Sequence, residues 1–325
     1  MSNSETTWVW HYTSLQTLRK ILTTGTLRAT EVNFLNDPRE PSIAHDVFPN
    51  VLKKLEEVPE LKSFSSRARS LYRQVIETGT PSWNAPLVRG APRYVFCASS
   101  DGDSLYAWRT YGSADSVGCA IALDTNEHLT VVGSAANGTG RGTAITRWAP
   151  LAYNADDVIE RAEKRLRAAA EAYNDLPSNE AWPILIDAIW QAWSEVQATT
   201  KDSSFCDEKE WRVTIDDPRT ASVKFSDDGR VPRPQIELAG TQAPVGGSTR
   251  PALLPIRAVR LGPGGGQLDR TAIRWLLATC GYPVDGEERE REWTDPTTGL
   301  PDYSCEPDKS TRVEILDSDH LFRRP

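Results

Sequence analysis

Several residue types are scarce in this 325-residue sequence, and each scarcity excludes something. The five cysteines, Cys97, Cys119, Cys206, Cys280 and Cys305, are scattered and odd in number, with no Cys-x-x-Cys pair. That spacing supports neither a disulfide framework nor a zinc site, and it reads as reduced thiols. There are only four histidines, and no His/Asp/Glu grouping has ligand spacing, so metal catalysis is not expected. His45, His128 and His320 sit in unrelated contexts and are assigned no chemistry. No stretch approaches the roughly 18 uninterrupted apolar residues of a spanning helix. The opening residues, Met1 to Thr7, carry neither a basic region nor an apolar run, so a soluble, cytoplasmic protein without a membrane partner is expected. An excess of positive charge is also lacking. Against 45 Asp+Glu stand 37 Lys+Arg, a net charge of -8, which opposes nonspecific binding to nucleic acid or an anionic membrane and confines any nucleic-acid partner to a local groove.

What is present is enough length for one large domain or two modest ones with a core that needs no staples. The 11 tryptophans are expected mainly as core and helix-packing residues, each burying a large area and keeping one donor. The most informative stretch is Phe205 to Ile215. Read as a strand, it places Glu208, Glu210 and Arg212 on one face and Trp211, Val213 and Ile215 on the other. The apolar face packs into a core. The two carboxylates and the guanidinium then either meet solvent, as on an edge strand, or look into a cleft.

Along the chain, Trp8 to Tyr12 alternates as a strand and runs into Thr13-Ser14, good helix caps. Leu15, Leu18, Ile21 and Leu22 follow at helical spacing, closed by Gly25. A short strand at Thr26 to Thr30 leads to the turn signal Asn36-Asp37-Pro38. Residues 43–78 read as helical with a break at Pro59, and 79–92 as loop. Tyr94 to Ala98 is a buried strand, Ser104 to Tyr111 a short helix ending at Gly112, and Gly118 to Leu123 the next strand. Residues 126–143 contain a loop, and Ala144 to Tyr153 reads as another strand. Asp156 to Ala172 and Trp182 to Ala198 form a helical pair ahead of the glutamate strand. Pro218 to Arg250 is polar and rich in proline and glycine. Leu253 to Leu261 reads as a strand, followed by Gly262-Pro-Gly-Gly-Gly and a helix from Asp269 to Thr279. The glycine run lacks the spacing of a phosphate-binding fingerprint and reads as a strand-to-helix turn. The charged run Glu287 to Glu292 reads as a solvated face.

Four blocks carry a resemblance. His11-Tyr-Thr-Ser with Gly25-x-Leu27 and Phe34-Leu-Asn36-Asp37-Pro38-x-Glu40 resembles the opening of a prokaryotic family catalogued as domain of unknown function 2971. Phe96-x-Ala-Ser-x-Asp-Gly-Asp103-Ser104-Leu-x-x-Trp108-Arg-x-Tyr111-Gly112 resembles its second block. Phe205-x-x-Glu208-x-Glu210-Trp211-Arg212 resembles its third, and Ile256 to Pro263 its Ile-x-x-Ile-x-x-Gly-Pro strand. The family in turn resembles the ADP-ribosyltransferase fold, in which a first-strand His or Arg, a central Tyr or Ser and a late-strand Glu surround the cleaved bond of NAD. Here those positions are His11, Tyr111 and Glu210. Glu208-Lys-Glu210 is similar to the E-x-E element of the arginine-modifying toxin branch, from which this sequence departs by having His in the first strand.

The resemblance implies an α+β fold of split mixed and antiparallel sheets with peripheral helices. It implies a catalytic domain over residues 1–282 with a helical insertion at about 154–200, followed by an extension at 283–325. It implies NAD as substrate and ADP-ribosyl transfer to RNA, DNA or protein, by a toxin or antiviral defence effector with an antitoxin or other neutralising partner. Cleaving the nicotinamide–ribose bond builds positive charge at the anomeric carbon, which a carboxylate bonded to a ribose hydroxyl stabilises. Glu210 takes that role. Glu208 orients or deprotonates the acceptor. Tyr111, then Trp108, supplies the stacking wall for nicotinamide. His11 with Thr13 holds the adenosine ribose, and Tyr12, Ser14, Asn36, Asp37 and Ser99 complete the cofactor contacts. Other readings stay open: His11 as a core histidine, Tyr111 as a helix end, Arg212 as a partner of either glutamate, a metal-independent nuclease using His11 and Glu210, and a noncatalytic nucleotide-binding module.

Overall fold

Ser14 sets how the chain begins. Its extended backbone (φ -85, ψ 158) ends the first strand, and its hydroxyl accepts from Thr17 N, closing an orphan donor of the helix that follows. Gly25, at φ 65, closes that helix in the left-handed region that glycine enters without penalty. A computed structural model describes residues 8–35, 40–73, 93–112, 117–133, 144–174, 185, 189, 192, 193, 195–216, 222–226, 231–241, 252–284 and 312–320. The loop expected at 79–92, the turn at Asn36-Asp37-Pro38, most of the helix expected from Trp182 and the run Glu287 to Glu292 lie outside these residues.

In chain order the elements are β1 (Trp8–Ser14), α1 (Leu15–Thr24), β2 (Leu27–Glu31), α2 (Glu40–Glu56), α3 (Lys62–Tyr72), β3 (Arg93–Ser99), α4 (Leu105–Tyr111), β4 (Gly118–Asp124) and β5 (Leu129–Val131). They continue with β6 (Ala144–Ile145), β7 (Ala149–Pro150), α5 (Ala155–Asn174), β8 (Glu210–Asp216), β9 (Val223–Ser226), β10 (Arg233–Gly240), β11 (Ile256–Leu261), α6 (Gln267–Thr279) and β12 (Glu314–Asp317). The class is mixed α+β, with helices and a large mixed sheet. Among the described residues no helix is long and apolar enough to cross a membrane. The chain divides into two compact units, one of residues 1–28, 98–132 and 237–325, the other of 29–97 and 133–236.

In the first unit β1 pairs antiparallel with β4 along its whole length, from Trp8 opposite Asp124 to Ser14 opposite Gly118. β4 pairs antiparallel with β11, and β11 pairs parallel with β12, from Ala258 opposite Glu314 to Leu261 opposite Asp317. Because side chains alternate, Trp10 and Tyr12 of β1 share a face. They form one buried cluster with Ala120, Ala122, Ala258 and two residues of α4, Ala107 and Trp108. Three alanines beneath the rings leave the room that the aromatic side chains fill. α1 contacts β1, β4 and α6. The tight approach of Trp108 is set by glycine: a Cβ at Gly262 would stand 3.0 Å from its ring. Gly266 N donates to Asp269 Oδ2 at 2.9 Å, so the glycine run is a turn whose helix start is capped by its own carboxylate.

The second unit contains a helical layer. Phe48, Val51, Leu52 and Leu55 of α2, Phe64, Ala68, Leu71 and Tyr72 of α3, Val158, Ala162 and Leu166 of α5, and Trp193 and Val196 pack into one apolar cluster. Phe48, Tyr72 and Trp193 form its aromatic centre, with centroids 5.4 to 5.6 Å apart. β2 pairs antiparallel with β3 at Thr30 opposite Val95 and Glu31 opposite Tyr94. β3 pairs with β8, which also takes β6 and β7 antiparallel. One expectation is corrected here: the single strand at Ala144 to Tyr153 is two short ones, β6 and β7. The polar stretch Pro218 to Arg250 contains β9 and β10, Arg233 pairing with Ser226 and Ile236 with Val223.

Candidate functional site

The stretch Phe205 to Ile215 is not one strand. Ser203 to Glu208 is a 3-10 turn capped by Asp202, Lys209 stands at φ 45, and β8 starts only at Glu210. The left-handed residue reverses the backbone between the two glutamates, so strand alternation does not relate them. Their carboxylates are nevertheless brought together, by a cation that the sequence did not nominate. Lys201 Nζ donates to Glu208 Oε2 at 2.5 Å and to Glu210 Oε2 at 2.8 Å. Arg212 Nε donates to Glu210 Oε1 at 2.7 Å, and Arg212 Nη1 to Ala198 O at 3.2 Å.

This charged face does not meet solvent, contrary to the reading of it as an exposed edge. Glu208 is 7% exposed, Glu210 6%, Lys201 8% and Arg212 2%. Two cations against two carboxylates make the group neutral as a whole, the condition under which buried charge is tolerated. The backbone fixes it further. Leu151 N donates to Glu210 O at 2.9 Å, Lys201 N to Ala152 O at 3.1 Å, and Glu210 N to the Tyr153 hydroxyl at 2.7 Å. The Lys201 ammonium also lies 5.0 Å from the Phe205 ring centroid, and Cys97 hydrogen-bonds Glu210.

Burial alone would raise the Glu210 carboxyl, but the charges of Arg212 and Lys201 and the Arg212 hydrogen bond outweigh it and hold the group well below the usual carboxylate range. Lys201 shows the mirror case: burial pulls it down, and the glutamates more than restore it, leaving its ammonium more firmly protonated than in water. Burial pushes the Tyr153 phenol up to about 12. The arrangement therefore offers one carboxylate, Glu210, held ionised, with a second, Glu208, on the same ammonium.

The other candidates among the described residues belong to the first unit, whereas Glu208 and Glu210 belong to the second. His11 is half-buried, opposite Ile121 of β4, and alternation along β1 puts it on the face away from Tyr12 and hence away from Trp108. Thr13 is buried on the His11 face, and Ser14 is the α1 cap. Tyr12 and Trp108 do come together, with centroids 4.6 Å apart in an edge-to-face pair. The Tyr12 hydroxyl donates to Asp101 O at 2.6 Å and accepts from Ser104 N at 2.9 Å. Ser99 Oγ accepts from Asp101 N at 3.1 Å, shaping the same turn. Trp108 is buried, its indole donating to Asp103 Oδ1 at 2.7 Å, so its faces belong to the protein interior. Tyr111, at the end of α4, is 40% exposed. Asn36 and Asp37 lie outside the described residues.

Sequence reasoning missed Lys201, Asp103 and His320. His320 Nε2 lies 2.8 Å from Asp103 O, and because a carbonyl only accepts, the ring nitrogen is the donor. Asp103 lies in the second block of the resemblance, but nothing local marks the tail that meets it. No family model, no curated protein and no solved structure matches this chain.

Proposed function

We propose that this chain is an NAD-dependent ADP-ribosyltransferase acting on a macromolecule, RNA, DNA or protein, as a toxin or antiviral defence effector of the ADP-ribosyltransferase fold. The observation that supports this reading is the meeting of the Glu208 and Glu210 carboxylates on the one Lys201 ammonium. Nicotinamide departure leaves positive charge on the ribose, and a carboxylate already ionised and already held in place stabilises it without reorganising. In this reading Glu210 accepts from a ribose hydroxyl and Glu208 serves the acceptor nucleophile. The antitoxin or neutralising partner belongs to the same reading.

A second reading, a noncatalytic nucleotide-binding module, is favoured by one observation: both Glu210 oxygens already carry a cation and the side chain is 6% exposed. One experiment separates them. Labelled NAD is incubated with the protein and a cell lysate, with and without RNase or protease, for wild type, Glu208→Gln and Glu210→Gln, each checked by circular dichroism. Transfer expects macromolecular label and free nicotinamide from wild type alone. If wild type releases no nicotinamide and labels nothing, the transferase reading fails.

A further inference from the structure

β12 is four residues long, sits at the edge of the sheet and buries little: Glu314 and Asp317 are exposed, Ile315 and Leu316 half-buried. β11, its neighbour, is buried at four of six positions. The short strand is therefore not held mainly by apolar area. Beyond the ladder and the contact of Leu316 with the aromatic cluster, its attachments are polar and reach fixed groups. Arg270 of α6 donates to Ile315 O at 2.8 Å and pairs with Asp317, and Ser318 N donates to Leu261 O at 2.9 Å. The next residues converge on Asp103. Ser318 Oγ donates to Asp103 Oδ1 at 2.6 Å, Asp319 N to Oδ2 at 2.8 Å, and His320 Nε2 to the Asp103 carbonyl. Asp103 is held ready for this by Trp108 Nε1 at 2.7 Å and Arg260 at 3.3 Å.

This is how an extended peptide is recognised: main-chain bonds along a sheet edge, then a carboxylate that reads a hydroxyl and a free backbone N–H. We propose that the β11 edge, with Arg270 and Asp103, is a docking site for an extended peptide segment, occupied by the chain's own residues 313–320, and that its occupancy fixes the turn ahead of α4. The link to α4 is direct. Asp103 adjoins Ser104, whose Oγ caps the helix by accepting from Ala107 N, and Asp103 also takes the indole N–H of Trp108. The peptide class that fits carries an acidic residue for Arg270, then a hydroxyl residue, then a residue with a free N–H. The proposal is independent of any NAD chemistry.

The test uses the full chain with the segment detached by Leu316→Asp and Ser318→Pro, which removes its one sheet-facing apolar contact with the aromatic cluster and its bond to Leu261 O. A fluorescent peptide of residues 312–320 is titrated and followed by anisotropy. The folded, detached chain is expected to bind it saturably, and wild type at least about tenfold more weakly, because the tethered segment competes at high effective concentration. Adding Asp103→Ala to the detached chain weakens binding by about tenfold or more. Exchange of the amides of residues 104–108 accelerates on detachment and slows again with peptide. No binding by the folded, detached chain, or binding indifferent to Asp103→Ala, overturns the proposal. If the detached chain does not fold, Asp103→Asn in the otherwise unchanged chain decides. The Asp319 amide then exchanges about tenfold faster, and an unchanged rate overturns the proposal.

Discussion

Lys201 Nζ and Glu210 Oε2 stand 2.8 Å apart with both side chains under a tenth exposed, and the same ammonium reaches Glu208. One cation thus serves two carboxylates in a place where water cannot replace it. Removing it leaves an uncompensated buried charge, whose cost is about 3–5 kcal/mol, well above the value of the pair itself. Lys201→Met is expected to lose that much stability in urea denaturation. Lys54 makes a bond of the same length to Glu163, but its side chain is 59% exposed. Lys54→Met should cost under about 1 kcal/mol. Equal costs for the two variants would mean that the Lys201 site is solvated.

The same group sets a pH dependence. Glu210 is held below its ordinary value of 4.5, so the unfolded chain takes up a proton there before the folded chain does. Its contribution is complete above about pH 4.5 and is lost as the pH falls toward the folded value. Lys201 is raised above 10.5, so its contribution is complete below that and is lost only as the pH rises through its folded value. Between the two limits the group contributes a plateau. Urea midpoints measured from about pH 7 down to about pH 3 should fall in wild type, and fall less in Lys201→Met, whose Glu210 has lost one cation. Parallel acid limbs would show that Lys201 does not hold Glu210 ionised.

How much of this could be read beforehand follows from the range over which each signal acts. The β1–α1 unit was legible because Ser14 and Gly25 act on their nearest turns. Glu210 and Arg212 were legible as neighbours on one strand face, and they do pair. Glu208 was assigned to that strand because alternation in the sequence carries on through Lys209, and only the backbone at φ 45 ends it. Lys201 was invisible for a different reason. It reaches the glutamates because Thr200 bridges to Ala152 and Lys201 N bonds Ala152 O, contacts whose partner is remote in the chain. β10 was hidden by Pro234 and the polar residues around it, although Pro234 stands in the ladder opposite Phe225 of β9. The meeting of Asp103 with His320, 217 residues on, has no local signal at all.

Tyr12 supplies a prediction about structure where sequence suggested cofactor binding. Its hydroxyl both accepts from Ser104 N and donates to Asp101 O, and the side chain is 7% exposed. Tyr12→Phe keeps the ring against Trp108 but leaves the buried Ser104 N–H without its acceptor, costing about 1–3 kcal/mol. The Ser104 amide should exchange faster while the aromatic packing persists. A variant as stable as wild type, with unaltered Ser104 exchange, would rule out this bond.

Gly262 tests the packing of Trp108 from the other side. A Cβ there would stand 3.0 Å from the Trp108 ring and 3.0 Å from Gly118 O, so the backbone on one side and an interior indole on the other must give way. Gly262→Ala is therefore expected to cost about 1–3 kcal/mol by overpacking. Gly264 differs in kind: it is exposed but sits at φ 86, so Gly264→Ala meets conformational strain of about 1–2 kcal/mol and no clash. The two are told apart by a second substitution. Trp108→Phe shortens the ring and relieves the Gly262→Ala clash, so the double variant should lose less than the sum of its parts, whereas Gly264→Ala and Trp108→Phe should add. Strict additivity for both pairs in urea denaturation would place Trp108 away from Gly262.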